Sequence, residues 1–81
     1  MKLIWSEQAW DDYLYWQEAD KRMVKKLNEL IKETRRTPFE GKGKPEPLRH
    51  NLAGFWSRRI TAEHRFVYSV TDEALLIAAC R

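Results

Sequence analysis

The segment "TPFEGKGKPEP", residues 37–47, holds three prolines and two glycines in eleven positions. No helix or strand interior tolerates that composition. Proline lacks the N–H that both kinds of ladder need, and glycine loses the most conformational freedom on folding. The segment must be a loop, and it splits the chain into two parts with different patterning. Before it, apolar residues recur at helical spacing; after it come short, strand-length runs.

In the first part, Lys2 to Trp5 is a brief apolar run, and Ser6 is a good helix N-cap. A strand is expected there, then a helix to about Glu18 with Trp10, Tyr13, Leu14 and Gln17 turned inward. Asp20 can cap a second helix, whose apolar stripe is Met23, Leu27, Leu30, Ile31 and Thr34. "EAD" is a weak break, so one continuous helix stays open. Thr37-Pro38 ends the helical part, because the residue before proline is pushed out of the α region.

In the second part, "LRHNL", "FWSRRIT", "HRFVYSV" and "ALLIAAC" are each strand-length. Turns fit at Ala53-Gly54, Thr61–Glu63 and Thr71–Glu73. A strand, two helices and then consecutive strands predict one α+β domain over residues 1–81. Its N-terminal strand and two helices should pack on one face of a small antiparallel sheet, leaving the other face open.

Eighty-one residues with one cysteine, Cys80, allow no internal disulfide, and the natural compartment is a reducing cytoplasm. Cys80, His50 and His64 lack zinc-ligand spacing, so neither metal nor cofactor is expected. "MKLIWSEQAW" is neither a signal peptide nor a membrane span. The net charge of +3 hides a polarity: residues 1–20 carry −4, and residues 21–49 carry +6. Such a basic stretch is either a solvated helix face or a footprint for a polyanion.

Strand parity narrows that choice. Side chains alternate, so His64, Phe66, Tyr68 and Val70 share the apolar face, as do Trp56 and Ile60. Ser57, Arg59, Thr61, Arg65, Val67 and Ser69 then share the open face. Arg58 has core parity and is expected near an edge, its charge snorkelling outward. Arg59 and Arg65 fall within reach of one anion, either a phosphate or the carboxylate of Glu63 in a structural ion pair. His64 reads as a core or edge histidine, and His50 is undetermined. Glu46, between Pro45 and Pro47, is held extended from both sides. A carboxylate there is either a solvated loop glutamate or a rigid base beside the arginines. In the second case it could take the proton of a ribose 2′-hydroxyl while the arginines stabilise the phosphorane-like charge.

"MKLIWSE", "DDYLYWQ", "TRRTPFEGKGKPEPL", "FWSRRIT" and "EHR" followed by "VY" closely resemble the YoeB toxins, in the RelE/ParE superfamily of toxin–antitoxin modules. The resemblance runs over essentially the whole chain. It implies a ribosome-dependent messenger-RNA endonuclease (an mRNA interferase) of microbial-ribonuclease-like fold, acting at the ribosomal A site. It also implies toxin dimers and a YefM-type antitoxin with a flexible acidic tail. By position, Glu46 matches the family's general base, Arg65 its phosphate-stabilising arginine and Arg59 a substrate-binding arginine. Arg49 stands where close relatives carry Lys, and with Lys44 it would contact RNA. Family members continue past "AACR" with a tail bearing a His and a Tyr of the active site, whereas this sequence stops at Arg81. On the resemblance, cleavage by the 81 residues alone should be weak or absent for want of a general acid. Two other classes stay open: a gyrase-poisoning toxin of the same superfamily, and a module that only binds antitoxin or nucleic acid.

Overall fold

Ser6 and Asp20 set the path of the first half of the chain. The computed structural model describes residues 1–81, with β1 (Lys2–Trp5) leading into α1 (Glu7–Ala19) and α2 (Lys21–Arg36). Ser6 Oγ accepts the Ala9 N–H at 3.0 Å, satisfying one of the donors a helix start leaves unpaired. Its hydroxyl also donates to the Ala78 carbonyl at 2.8 Å, tying the helix start to the last strand. Asp20 is extended (φ −161°) and accepts the Arg22 N–H at 3.0 Å. The break is real, and the helices form a hairpin.

The stripe expected on α2 is the buried one: Met23, Leu27, Leu30, Ile31 and Thr34. On α1 the inward side differs from the expectation. Ala9, Asp12 and Trp16 are buried and Tyr13 is half-buried, whereas Trp10 and Leu14 are exposed at 46% and 42% and Gln17 faces solvent. Large apolar groups surround α1, so its periodicity marks more than one stripe. The end of the sheet selects between them. Trp16 Nε1 donates to the Cys80 carbonyl at 2.8 Å, and the Asp12 carboxylate accepts the Cys80 N–H at 3.0 Å. Only this rotation of the helix satisfies both buried backbone groups.

The remaining strands are β2 (Glu46–Pro47), β3 (Trp56–Arg59), β4 (Arg65–Val70) and β5 (Ala74–Ala79), in the order β1-β5-β4-β3-β2. Strands β2 to β5 are antiparallel, as expected. β1 runs parallel to β5, with Lys2 opposite Ala74 and Trp5 opposite Ile77, so the sheet is mixed. Phe66, Tyr68, Leu75 and Ile77 are fully buried and form one core with Trp16, Leu27 and Leu30. The helices therefore cover one sheet face.

"LRHNL" is not a strand. His50–Leu52 forms a 3₁₀ turn with His50 at φ +60°, and the hairpin closes where the Leu48 N–H meets the Phe55 carbonyl at 2.9 Å. Strand pairing is made instead by the residues just before it, Glu46 and Pro47. An edge strand suits Pro47, which has no N–H to offer a further neighbour.

Candidate nucleic-acid face

The β3–β4 register places Arg59 directly opposite Arg65 and Ser57 opposite Val67. The β2–β3 register places Glu46 opposite Ser57. Residues opposite one another share a face, and so do residues two apart along a strand. Glu46, Ser57 and Val67 thus form one row across three strands, and Arg59 and Arg65 form the next. This is the face away from the helices, since Arg58, Phe66 and Tyr68 occupy the other parity. The Cβ of Glu46 is diagonal to that of Arg59, a spacing of about 7–8 Å that long side chains bridge readily.

No carboxylate neutralises the two arginines. The protein's ion pairs are Arg22–Asp20 and Arg36–Glu33, so the pairing of Arg59 and Arg65 with Glu63 is not made. Glu63 belongs to the turn between β3 and β4, where its N–H and that of His64 each donate to Thr61 Oγ1 at 3.2 Å. The His64 ring lies edge-on to Trp16, with centroids 4.8 Å apart, and fills a packing role on the helix side. Glu46 and Arg59 are exposed, and Arg65 is half-buried. Lys44 and Arg49 are exposed at the two ends of β2, and His50 is exposed in the turn that follows.

Arg58 does not snorkel. It is completely buried, and its guanidinium is spent on neutral acceptors. Nη1 donates to the Lys42 carbonyl at 2.9 Å, Nη2 to the carbonyls of Thr37 and Glu40, and Nε to the Tyr68 hydroxyl at 3.1 Å. Parity put Arg58 on the core face correctly. What parity could not show is that three carbonyls of the Pro/Gly loop converge over it.

Gly43 then docks that loop onto β3. Its carbonyl accepts the Arg59 N–H at 2.7 Å, and its φ is +83°. A Cβ at this position would stand 2.9 Å from the Arg59 carbonyl oxygen, so only glycine allows the approach. Lys44, Pro45 and Glu46 follow directly.

Glu46, Arg59 and Arg65 line no cavity. The largest concavity, about 680 Å³, lies along α2 and is lined by Lys32, Glu33, Arg35, Arg36 and Lys42 among others. A small molecule binds where walls surround it, whereas a polymer backbone can lie across an open charged sheet. The arrangement suits a strand carrying phosphates.

Residues 5–81 match the family described as the YoeB-like toxin of bacterial type II toxin–antitoxin systems. Toxin YoeB of Escherichia coli strain K12 is 84% identical over all 81 residues, which span 96% of that protein. A solved YoeB dimer from Staphylococcus aureus is 51% identical with a TM-score of 0.95, covering 100% of this chain and 94% of that one. A heterotetrameric YoeB–YefM toxin–antitoxin complex, also from Staphylococcus aureus, is 51% identical with a TM-score of 0.94 over the same shares of the two chains. More distant structures, such as YafQ from Escherichia coli at 21% identity and a TM-score of 0.75, share the fold. The chain belongs to the YoeB-like toxins of bacterial type II toxin–antitoxin systems.

Proposed function

We propose that this toxin is an endoribonuclease that cuts messenger RNA on the ribosome, and that the open sheet face is where it does so. One observation carries the reading: Arg59 and Arg65 stand opposite each other, unneutralised, in the row next to Glu46. Two guanidiniums in cross-strand register repel, and a phosphate between them relieves that repulsion.

In this reading, Glu46 accepts the proton of a ribose 2′-hydroxyl. The freed oxygen attacks the adjacent phosphorus, the bond to the 5′-oxygen breaks, and the departing 5′-oxygen takes its proton from water, since none of the residues on this face donates it. A 2′,3′-cyclic phosphate remains. Arg65 stabilises the charge that accumulates on the non-bridging oxygens, and donors of this kind contribute most where charge develops. Arg59, Lys44 and Arg49 hold flanking phosphates. The ribosome supplies a message fixed in one conformation, which an open face does not provide by itself.

The same cations suit an acidic antitoxin tail, which would occupy the face and compete with RNA. Pairing with a YefM-type antitoxin and self-association into a dimer follow the Staphylococcus aureus relatives. Action on ribosomes places the protein in the cytoplasm.

Mapping the 5′ ends of transcripts after induction tests the reading. Cuts within translated codons, lost in Glu46→Gln, are the expected result. Intact messages together with stalled gyrase–DNA breaks would replace it with gyrase poisoning. Neither kind of lesion would leave only a binding module.

A further inference from the structure

The loop from Thr37 to Lys42 joins α2 to the segment bearing Glu46, and two buried side chains hold it from beneath. Arg58 donates to the carbonyls of Thr37, Glu40 and Lys42. Tyr68 accepts from Arg58 Nε and donates its own hydroxyl to the Pro38 carbonyl at 2.7 Å. Arg58 and Tyr68 are both fully buried and lie diagonally across β3 and β4 on the core side, Arg58 being opposite Phe66 and Tyr68 opposite Trp56. Burial pushes the Tyr68 phenol above its usual range, so it stays protonated and remains a donor.

A buried cation with no carboxylate in contact is poor value for stability alone, since its desolvation is offset mainly by neutral dipoles, with the Glu33 carboxylate acting on it from farther off. What a guanidinium offers here is geometry: a rigid planar fork that fixes several carbonyls at once. The fixed segment continues without slack into the site. The Lys42 carbonyl is bound by Arg58, the Gly43 carbonyl by the Arg59 N–H, and the proline-bracketed Glu46 comes three residues later. Consecutive residues of β3 therefore divide the work, Arg58 facing the loop from the core and Arg59 facing the open side.

We infer that Arg58 and Tyr68 are positioning residues for Glu46, setting through the 37–42 loop where its carboxylate stands over the sheet face. The inference rests on the proposed role of Glu46 as base. Neither residue touches substrate, and both act on the rate of the chemical step rather than on RNA binding.

A double-mutant cycle separates this role from plain structural support. Wild type, Tyr68→Phe, Glu46→Gln and the double variant are compared in single-turnover cleavage on message-programmed ribosomes. Rate at saturation and half-saturating concentration are read separately, and folding of each variant is verified by thermal unfolding. Tyr68→Phe should lower the saturated rate by roughly tenfold, because a misplaced base loses its near-attack geometry, while half-saturation stays within about twofold. On the Glu46→Gln background the same substitution should have no further effect. An equal loss on both backgrounds, or a loss confined to half-saturation, overturns the inference and leaves the role of Glu46 standing. A Glu46→Gln protein that cleaves like wild type removes that role and the inference with it. Arg58→Lys, which keeps the cation but not the fork, is read in the same cycle, so a failure of Tyr68→Phe to fold does not end the test.

Discussion

Arg59 and Arg65 stand directly opposite each other with no carboxylate in contact, an arrangement that costs the fold stability. Removing one of them should therefore harm function and not folding. Arg65→Ala is expected to slow message cleavage by about 10²–10³, the usual loss for one donor at a developing anion. Its unfolding free energy should change by no more than about 0.5 kcal/mol, measured by urea denaturation. A loss of several kcal/mol would place Arg65 in a structural network instead. Cys80 makes the opposite case, a reactive residue type with its reactivity removed. It is fully buried and donates its thiol to the Ala9 carbonyl; burial, reinforced by the Asp12 carboxylate, pushes its pKa up to about 12. The native protein should not react with a thiol reagent at pH 8, and the urea-unfolded chain should react at once. The unfolded thiol ionises near about 8.5, and the folded one keeps its proton to about 12. Stability should thus fall as pH rises between those values, and Cys80→Ala should flatten that part of the profile.

The two helices differ in how they are held. α2 presents one apolar stripe, and Leu27 in its centre is fully buried. Leu27→Ala should cost about 2–5 kcal/mol. Leu14→Ala, on the exposed side of α1, should stay within about 0.5 kcal/mol when both are measured by denaturant unfolding. Comparable losses would mean that α1 packs as its sequence first suggests. The contrast also explains what was legible beforehand. A period-two strand has only two faces, so parity alone put Arg59 and Arg65 together and Phe66 and Tyr68 in the core. α1 has Trp10, Tyr13, Leu14, Tyr15 and Trp16 pointing several ways, and its rotation is decided by buried groups at Cys80, distant in sequence. The burial of Arg58 escapes parity for a similar reason, since its carbonyl acceptors lie 16 to 21 residues away in a loop whose path no local pattern specifies. "LRHNL" has the length of a strand, yet a positive φ at His50 turns the chain there.

At the scale of the whole molecule, the radius of gyration of 11.7 Å is that of an ordinary compact domain, and Glu46, Arg59 and Arg65 line no cavity in it. The large buried apolar groups go into one layer between helices and sheet, and on the other face strands β2 to β4 present Glu46, Arg59 and Arg65. Such a face cannot by itself enclose and orient a flexible RNA, which is why a ribosome-held message is the proposed substrate. It also suits the proposed control by an antitoxin, because an open cationic face can be covered along its length by one acidic segment. The central claim is that Glu46 activates a ribose 2′-hydroxyl for attack on a phosphate held by Arg59 and Arg65. The most direct measurement compares two messages on programmed ribosomes, identical except for a single 2′-deoxyribonucleotide on the 5′ side of the cut. The all-ribose message should be cut to leave a 2′,3′-cyclic phosphate, and cleavage at the deoxy position should disappear. Undiminished cutting of the deoxy message, or a 3′-hydroxyl at the new end, would contradict the account.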